Sequence, residues 1–367
     1  MSLTRLNFLT AVFASSLVTI NARAADWPSA GAVNAVRTRP HWGRKPRRVT
    51  MRARLCMLGM LLFAAPAEAQ FARQEVHSFQ SADTPAADFL AGKKGTPITL
   101  AGYLRAPKAS GKQPTVVLLH GAGGVGAYNG PVGEWSRLLN EAGYAVFIVD
   151  SWSGRGLQSI STETLRVSTM SRIYDLVGAL DILAKNPLVD TSKIAVMGFS
   201  HGGQSVLYSG LERFGKLFRS DIRFAAHISV YGECDTTFHG DEAVTKPVLM
   251  LHGAADDWVP AAPCREYASR LTKAGKNVRY IEYPDAHHVF DGPAAAQATK
   301  VAQGLSRRRC RLAESEGGVV LNVETKQPFG PSDPCFERRG VTIHYNEAAM
   351  KKAHGDVLAF LTNVFGQ

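Results

Sequence analysis

The chain has 367 residues, enough for one large α/β domain or two small ones. Apolar residues make up 45% and charged residues 20%, an ordinary globular composition that excludes a disordered, fibrous or polytopic membrane protein. The formal charge of +11 raises a nucleic-acid or anionic-surface function, which depends on where the charges lie.

Most of the basicity belongs to the N-terminus. The first 70 residues carry ten Lys and Arg against Asp26 and Glu68, a net charge of +8, and the remaining 297 residues carry +3. This leader, residues 1–69, contains two export-like segments. Residues 1–24 have a basic start, an apolar stretch from Leu6 to Ile20 and the sequence Ala22-Arg23-Ala24. Residues 51–69 are tighter: Met51-Arg-Ala-Arg is a basic start, Leu55 to Pro66 is apolar, and Ala67-Glu68-Ala69 is an A-x-A cleavage site. Neither apolar run reaches the roughly 18–20 residues that span a bilayer, so no stable membrane span is expected. One exported protein needs one signal peptide. The favoured reading starts translation at Met51, with residues 1–50 an upstream extension; the alternative is a single signal at residue 1 followed by an Arg-rich linker. Either way the protein is exported, periplasmic or secreted.

The cysteines agree with export. Cys56 lies inside the second signal, and cleavage leaves Cys234, Cys264, Cys310 and Cys335, an even number that suggests two disulfides. Three pairings are open, and chain proximity favours Cys234–Cys264 and Cys310–Cys335. No C-x-x-C or Cys/His ligand spacing appears, so no metal is expected.

Beyond residue 70 apolar runs alternate with helix-like segments. Strands are expected at Pro114–Leu119, Tyr144–Val149, Lys193–Phe199, Ala225–Tyr231, Pro247–His252 and Val278–Tyr283. Helices are expected at Val132–Ala142, Ser171–Lys185, His201–Leu211, Pro260–Ala274 and Asn346–Val364. Apolar runs of five to seven residues without alternation suit strands buried on both faces. Their alternation with helices predicts a single doubly wound α/β domain, residues 70–367, with a mostly parallel sheet. In such sheets ligands bind beyond the carboxyl ends of the strands, so chemistry is sought just after each apolar run.

Gly198-Phe199-Ser200-His201-Gly202 matches G-x-S-x-G between an expected strand and an expected helix. A serine there sits on a tight turn that glycine permits and that pushes its Oγ into the open. A hydroxyl needs a base, normally a His held by a carboxylate on later strand ends. Leu249-Met-Leu-His-Gly-Ala-Ala-Asp256-Asp257 ends one strand with a carboxylate, and Tyr283-Pro-Asp-Ala-His287-His288-Val-Phe290 ends the next with a histidine. From the residues alone, Asp256 and Asp257 are alternatives, as are His287 and His288, with Asp285 a weaker acid candidate. The oxyanion of acyl transfer calls for preorganised N–H donors. The backbone N–H groups of His201, directly after the serine, and of Ala122, in His120-Gly121-Ala122-Gly123-Gly124, are the candidates. That glycine turn lacks G-x-G-x-x-G and G-K-[ST] spacing, so no nucleotide or other cofactor site is expected.

The other residues have bland readings. His120 and His252 look like structural hydrogen-bonding residues. Arg307-Arg308-Arg309 reads as a solvated face and not a nucleic-acid patch. Trp152 and Trp258, at strand ends, are candidates for the pocket wall.

These motifs resemble the dienelactone hydrolase-like branch of the α/β-hydrolases over about residues 95–365. The resemblance rests on His120-Gly-Ala-Gly-Gly, Asp150-Ser-Trp-Ser-Gly-Arg-Gly156, Gly198-Phe-Ser-His-Gly-Gly, Gly253-Ala-Ala-Asp-Asp-Trp258 and Tyr283-Pro-Asp-Ala-His-His-Val-Phe290. It implies Asp256 as the acid, the third residue after the strand-end glycine, and His288 as the base, two before the Phe. The dienelactone-cleaving members carry a cysteine nucleophile where Ser200 stands here. A Cys-containing segment at about 306–344 looks inserted before the last helix. The resemblance thus implies a serine carboxylic-ester hydrolase with a Ser200, His288, Asp256 triad, no cofactor and a small-molecule ester substrate. With only +3 left after cleavage, no nucleic-acid partner is expected. A serine peptidase or acyltransferase on the same triad is the alternative.

Overall fold

The computed structural model describes residues 73–126, 130–218 and 221–366. The leader with both export-like segments lies outside the described residues.

Eight strands form one sheet. In chain order they are β1 (Arg73–Asp83), β2 (Thr96–Ala106), β3 (Gln113–Leu119), β4 (Ala145–Asp150), β5 (Val189–Phe199), β6 (Ala226–Val230), β8 (Val248–Gly253) and β9 (Val278–Tyr283); β7 (Thr236–Thr237) belongs to a small sheet elsewhere. The order across the large sheet is β1-β2-β4-β3-β5-β6-β8-β9. From β4 to β9 every neighbouring pair is parallel, while β1 and β2 form an antiparallel hairpin that joins the sheet at β4. The six parallel strands correspond to the six expected from apolar runs. The hairpin was not anticipated, because its outer strand alternates exposed and buried residues and lacks such a run.

Helices α2 (Pro131–Glu141) and α6 (Glu347–Phe365) pack on one face through Trp135, Leu139, Ala353, Val357 and Leu361. Helices α3 (Thr169–Leu183), α4 (His201–Ser209) and α5 (Ala261–Lys273) cover the other through Leu176, Leu180, Val206, Tyr208 and Leu271. Asn346 caps α6 by accepting the Ala349 N–H at 3.0 Å, and Gly366 at φ +66° ends it. Both layers cover strands whose residues are buried on each side, as the unbroken burial of Val116 to Leu119 and Ala145 to Val149 requires. This is the α/β-hydrolase architecture, and its strand ends gather on one edge.

Residues 299–343 add three small sheets over that edge. Leu312–Glu314 pairs with β7 and with Val320–Asn322, Leu305–Ser306 pairs with Glu337–Arg338, and Thr299–Val301 pairs with Val341–Ile343. Disulfides join Cys310 to Cys335 within this segment and Cys234 to Cys264 beneath it. No described helix is long and apolar enough to cross a membrane.

Candidate active site

Ser200 stands between β5 and α4 with φ +51°, a conformation that L residues avoid and that the surroundings impose. Its own N–H donates to the Val230 carbonyl at 2.9 Å. A Cβ on Gly202 would collide with the Leu119 and His120 carbonyls, and one on Gly198 with the Gly202 carbonyl. Glycine at both positions is what allows α4 to start hard against the end of β3.

Three side chains then meet. His288 Nε2 lies 3.0 Å from Ser200 Oγ, and His288 Nδ1 lies 2.7 Å from Asp256 Oδ2. Asp256 is fixed in turn, because its Oδ1 accepts the N–H groups of Trp258 at 3.0 Å and Val259 at 2.8 Å. Burial disfavours the imidazolium of His288, but the charge and hydrogen bond of Asp256 outweigh burial and hold its pKa above the ordinary histidine value. Each neighbour of the pair takes a different direction. Asp257 faces outward and holds the strand at Val341–Ile343, accepting the Thr342 N–H at 2.7 Å and its hydroxyl at 2.9 Å. His287 turns toward His344, with the rings 6.0 Å apart. Asp285 is exposed and makes no contact with His288.

The cavity beside Ser200 is lined by Gly121, Ala122, His201, Tyr231, Trp258 and Val289, among others. His201 opens α4, so its N–H has no acceptor within the helix. Ala122 is held by its carbonyl, which accepts from Ile160 N at 2.9 Å, Trp152 Nε1 at 3.1 Å and Ser159 Oγ at 3.3 Å. Trp258 is among the residues lining this cavity, and Trp152 is not. Trp152 is fully buried behind the Ala122 loop, because its indole N–H is used on that loop's backbone. His120 and His252 make the structural bonds anticipated: His120 Nε2 accepts the Ser151 N–H at 3.1 Å, and His252 Nε2 donates to the Val259 carbonyl at 2.8 Å. The basic run divides. Arg309 is exposed, but Arg307 is nearly buried against Asp235 at 2.9 Å, so it is not the solvated residue expected.

Several residues at the site carry no sequence motif. Arg172 is fully buried under the cavity floor. Its Nη2 donates to the His120 carbonyl at 2.7 Å, its Nη1 to His201 Nδ1 at 3.2 Å and its Nε to Ser151 Oγ at 3.3 Å, and its guanidinium lies 4.7 Å from the Trp152 ring. Burial lowers its pKa to about 9, and burial together with Arg172 pushes His201 well below the ordinary value, so His201 is the neutral acceptor. Tyr231 packs against His288 with centroids 4.8 Å apart, and its hydroxyl donates to Asp291 at 2.8 Å. Asp291 also accepts from Trp135 Nε1 at 2.7 Å. Glu233 and Thr164 complete the lining. Tyr231 and Glu233 lie just past β6, so the strand-end rule pointed to their position, though not to their identity. Among the described residues no group of three or more His, Cys, Asp or Glu is placed to hold a metal ion.

A central parallel sheet with these residues at its strand ends defines an α/β-hydrolase. The model of the dienelactone hydrolase family matches residues 100–314, and the chain belongs to that family. The solved structure named m3DLH has the same fold, with a TM-score of 0.52 and 20% identity, covering 79% of this chain and 98% of that one. The acylamino-acid-releasing enzyme 2 of Oryza sativa subsp. japonica is 25% identical over 226 residues, 51% of this chain and 29% of the rice enzyme. The esterase LipQ of Mycobacterium tuberculosis is 41% identical over 61 residues, 16% of this chain and 14% of its own. The chain thus spans less than a third of the length of these curated relatives.

Proposed function

We propose that the chain is an exported serine carboxylic-ester hydrolase working through Ser200, His288 and Asp256. The observation that carries the reading is the continuous hydrogen-bonded path from Ser200 Oγ through His288 to Asp256 at the strained turn after β5. In this reading Ser200 Oγ attacks the ester carbonyl carbon while His288 Nε2 takes its proton. The carbonyl oxygen becomes an oxyanion bound by the N–H groups of Ala122 and His201. The tetrahedral intermediate collapses, the C–O bond to the alcohol breaks, and His288 gives the proton to the leaving oxygen. Water then attacks the acyl-enzyme by the same route and releases the acid and free Ser200. Asp256 orients the imidazole and stabilises its cation.

Residues 70–367 are the working domain, the leader 1–69 is removed on export, and about 306–344 is an insertion roofing the strand ends. The two disulfides support an oxidising compartment. The name of the rice relative favours a second reading, release of acylated amino acids, since amide and ester cleavage share this machinery.

One experiment tests the parts together. The full chain is expressed in a bacterial host, exported proteins are treated with a fluorophosphonate probe, and the labelled band is sequenced from its N-terminus and assayed on short p-nitrophenyl esters. Label and ester turnover that vanish in Ser200→Ala, on a band starting near Gln70, are expected. Equal labelling of the variant refutes the nucleophile, absence of the band from the exported fraction refutes export, and a start near Ala25 refutes the Met51 signal.

A further inference from the structure

Glu233 lies on the loop that leaves β6 and lines the same cavity as Ser200 and His288. Its Oε2 is buried and has no hydrogen-bond partner. Thr164 lines that cavity too, is 8% exposed, and its Oγ1 is likewise buried without a partner. A buried polar atom left unpaired is destabilising, and more so when it is charged. Two such atoms on the wall of one cavity mark a position where a ligand supplies the donors.

Charge selects the kind of donor. The β6 loop brings two carboxylates, Glu233 and Asp235, to one guanidinium, Arg307. One Nη of Arg307 donates to Asp235 at 2.9 Å, its Nε is buried without a partner, and the guanidinium lies over the Phe329 ring at 5.1 Å. A second guanidinium, Arg172, also acts on Glu233, but its nitrogens donate to the His120 carbonyl, His201 and Ser151, so neither arginine donates to Oε2. Burial raises the pKa of Glu233 and Arg307 opposes that rise, so a cation placed at Oε2 relieves a carboxylate poorly served by the protein. A primary ammonium has three N–H donors, enough for both Glu233 and Thr164. A hydroxyl supplies a donor without the positive charge that strengthens a hydrogen bond to a carboxylate.

We infer that Glu233 and Thr164 form a subsite for a protonated amine, and that the substrates are esters carrying a cationic nitrogen close to the scissile carbonyl. The inference rests on the serine-esterase reading and names its substrate class. Matched ester pairs test it at pH 6.5, below the ordinary pKa of an α-amino group. Ethyl alaninate is compared with ethyl 2-methylpropanoate, and 2-(dimethylamino)ethyl acetate with 3-methylbutyl acetate, so that each pair differs in charge at nearly constant shape. The ratio of kcat/KM, cationic over neutral, should fall at least ten-fold in Glu233→Gln for at least one pair, with a smaller fall in Thr164→Val. A ratio unchanged in both pairs overturns the subsite, including the case where both esters lose activity equally.

Binding gives a readout that needs no turnover. Alaninamide hydrochloride should raise the wild-type Tm more than 2-methylpropanamide does, and Glu233→Gln should abolish the difference. Equal shifts by the two amides in the wild type refute the inference. Failure of the esterase reading shows separately, as probe labelling that survives Ser200→Ala.

Discussion

Asp291 offers a test in which stability is expected to rise on mutation. Its carboxyl is fully buried, with Oδ2 accepting from Trp135 Nε1 at 2.7 Å and Oδ1 from the Tyr231 hydroxyl at 2.8 Å. Burial raises its pKa from 3.8 to about 6, against the opposing pull of those two hydrogen bonds. Between those values the folded protein keeps a proton that the unfolded chain has released, so stability is lost as pH rises through this window. The linkage amounts to about 1 kcal/mol at pH 4.5 and about 3 kcal/mol at pH 7.5, using 1.36 kcal/mol per pKa unit. Asparagine has the bonding pattern of the protonated acid: its oxygen accepts from Trp135 and its amide donates to the Tyr231 oxygen. Asp291→Asn should therefore be close to wild type in acid and gain about 2 kcal/mol relative to it between pH 4.5 and 7.5. Urea unfolding of both proteins with disulfides intact measures the difference, and titrations not coupled to Asp291 cancel, His288 being the coupled one. A stability difference that stays flat, or shrinks as pH rises, refutes the claim that burial holds this carboxyl protonated.

His288, the proposed base, and the roof segment carry the other predictions. In the proposed mechanism His288 must be neutral to accept the Ser200 proton, and its pKa is raised, so kcat/KM for a neutral ester should climb through an inflection above pH 6.5. Asp256→Asn should lower kcat about 10³–10⁴-fold and move that inflection down, and a pH profile with an unmoved inflection counts against the pairing. Replacing Cys310 and Cys335 together with serine opens a loop of sequence separation 25, which should lower stability by about 3.5 kcal/mol; urea unfolding showing less than about 1 kcal/mol would contradict it.

What could be read from the chain was what local chemistry determines. The buried strands announce themselves by unbroken apolar runs, and Ser200, Asp256 and His288 follow those runs at short, fixed offsets. The choice of Asp256 over Asp257 was less local. The structure divides the two by giving Thr342 to Asp257, and that contact links residues 85 apart. Arg172 and Asp291 were invisible for the same reason. A charged residue within a helical segment reads as solvent-facing, and only the assembled loops after β3 and β4 supply the acceptors that let a guanidinium be buried. The β1–β2 hairpin was missed because an edge strand with one wet face has no apolar run to detect.

The burial of Arg172 has a consequence for the energetics of the chemical step. One rigid planar group joins the loop bearing Ala122, the turn after β4 and the first residue of α4, so the two proposed oxyanion donors share a single anchor. Donors held in this way move together and keep their spacing when the substrate arrives. In water, dipoles around a forming oxyanion must first rotate into place, and that reorganisation is a large part of the barrier. In the proposed site that rotation is made when the protein folds, and its cost is borne by a cation sealed away from solvent. A lysine at this position would restore the charge without the planar fork, and the donors would again have to find their places in each turnover.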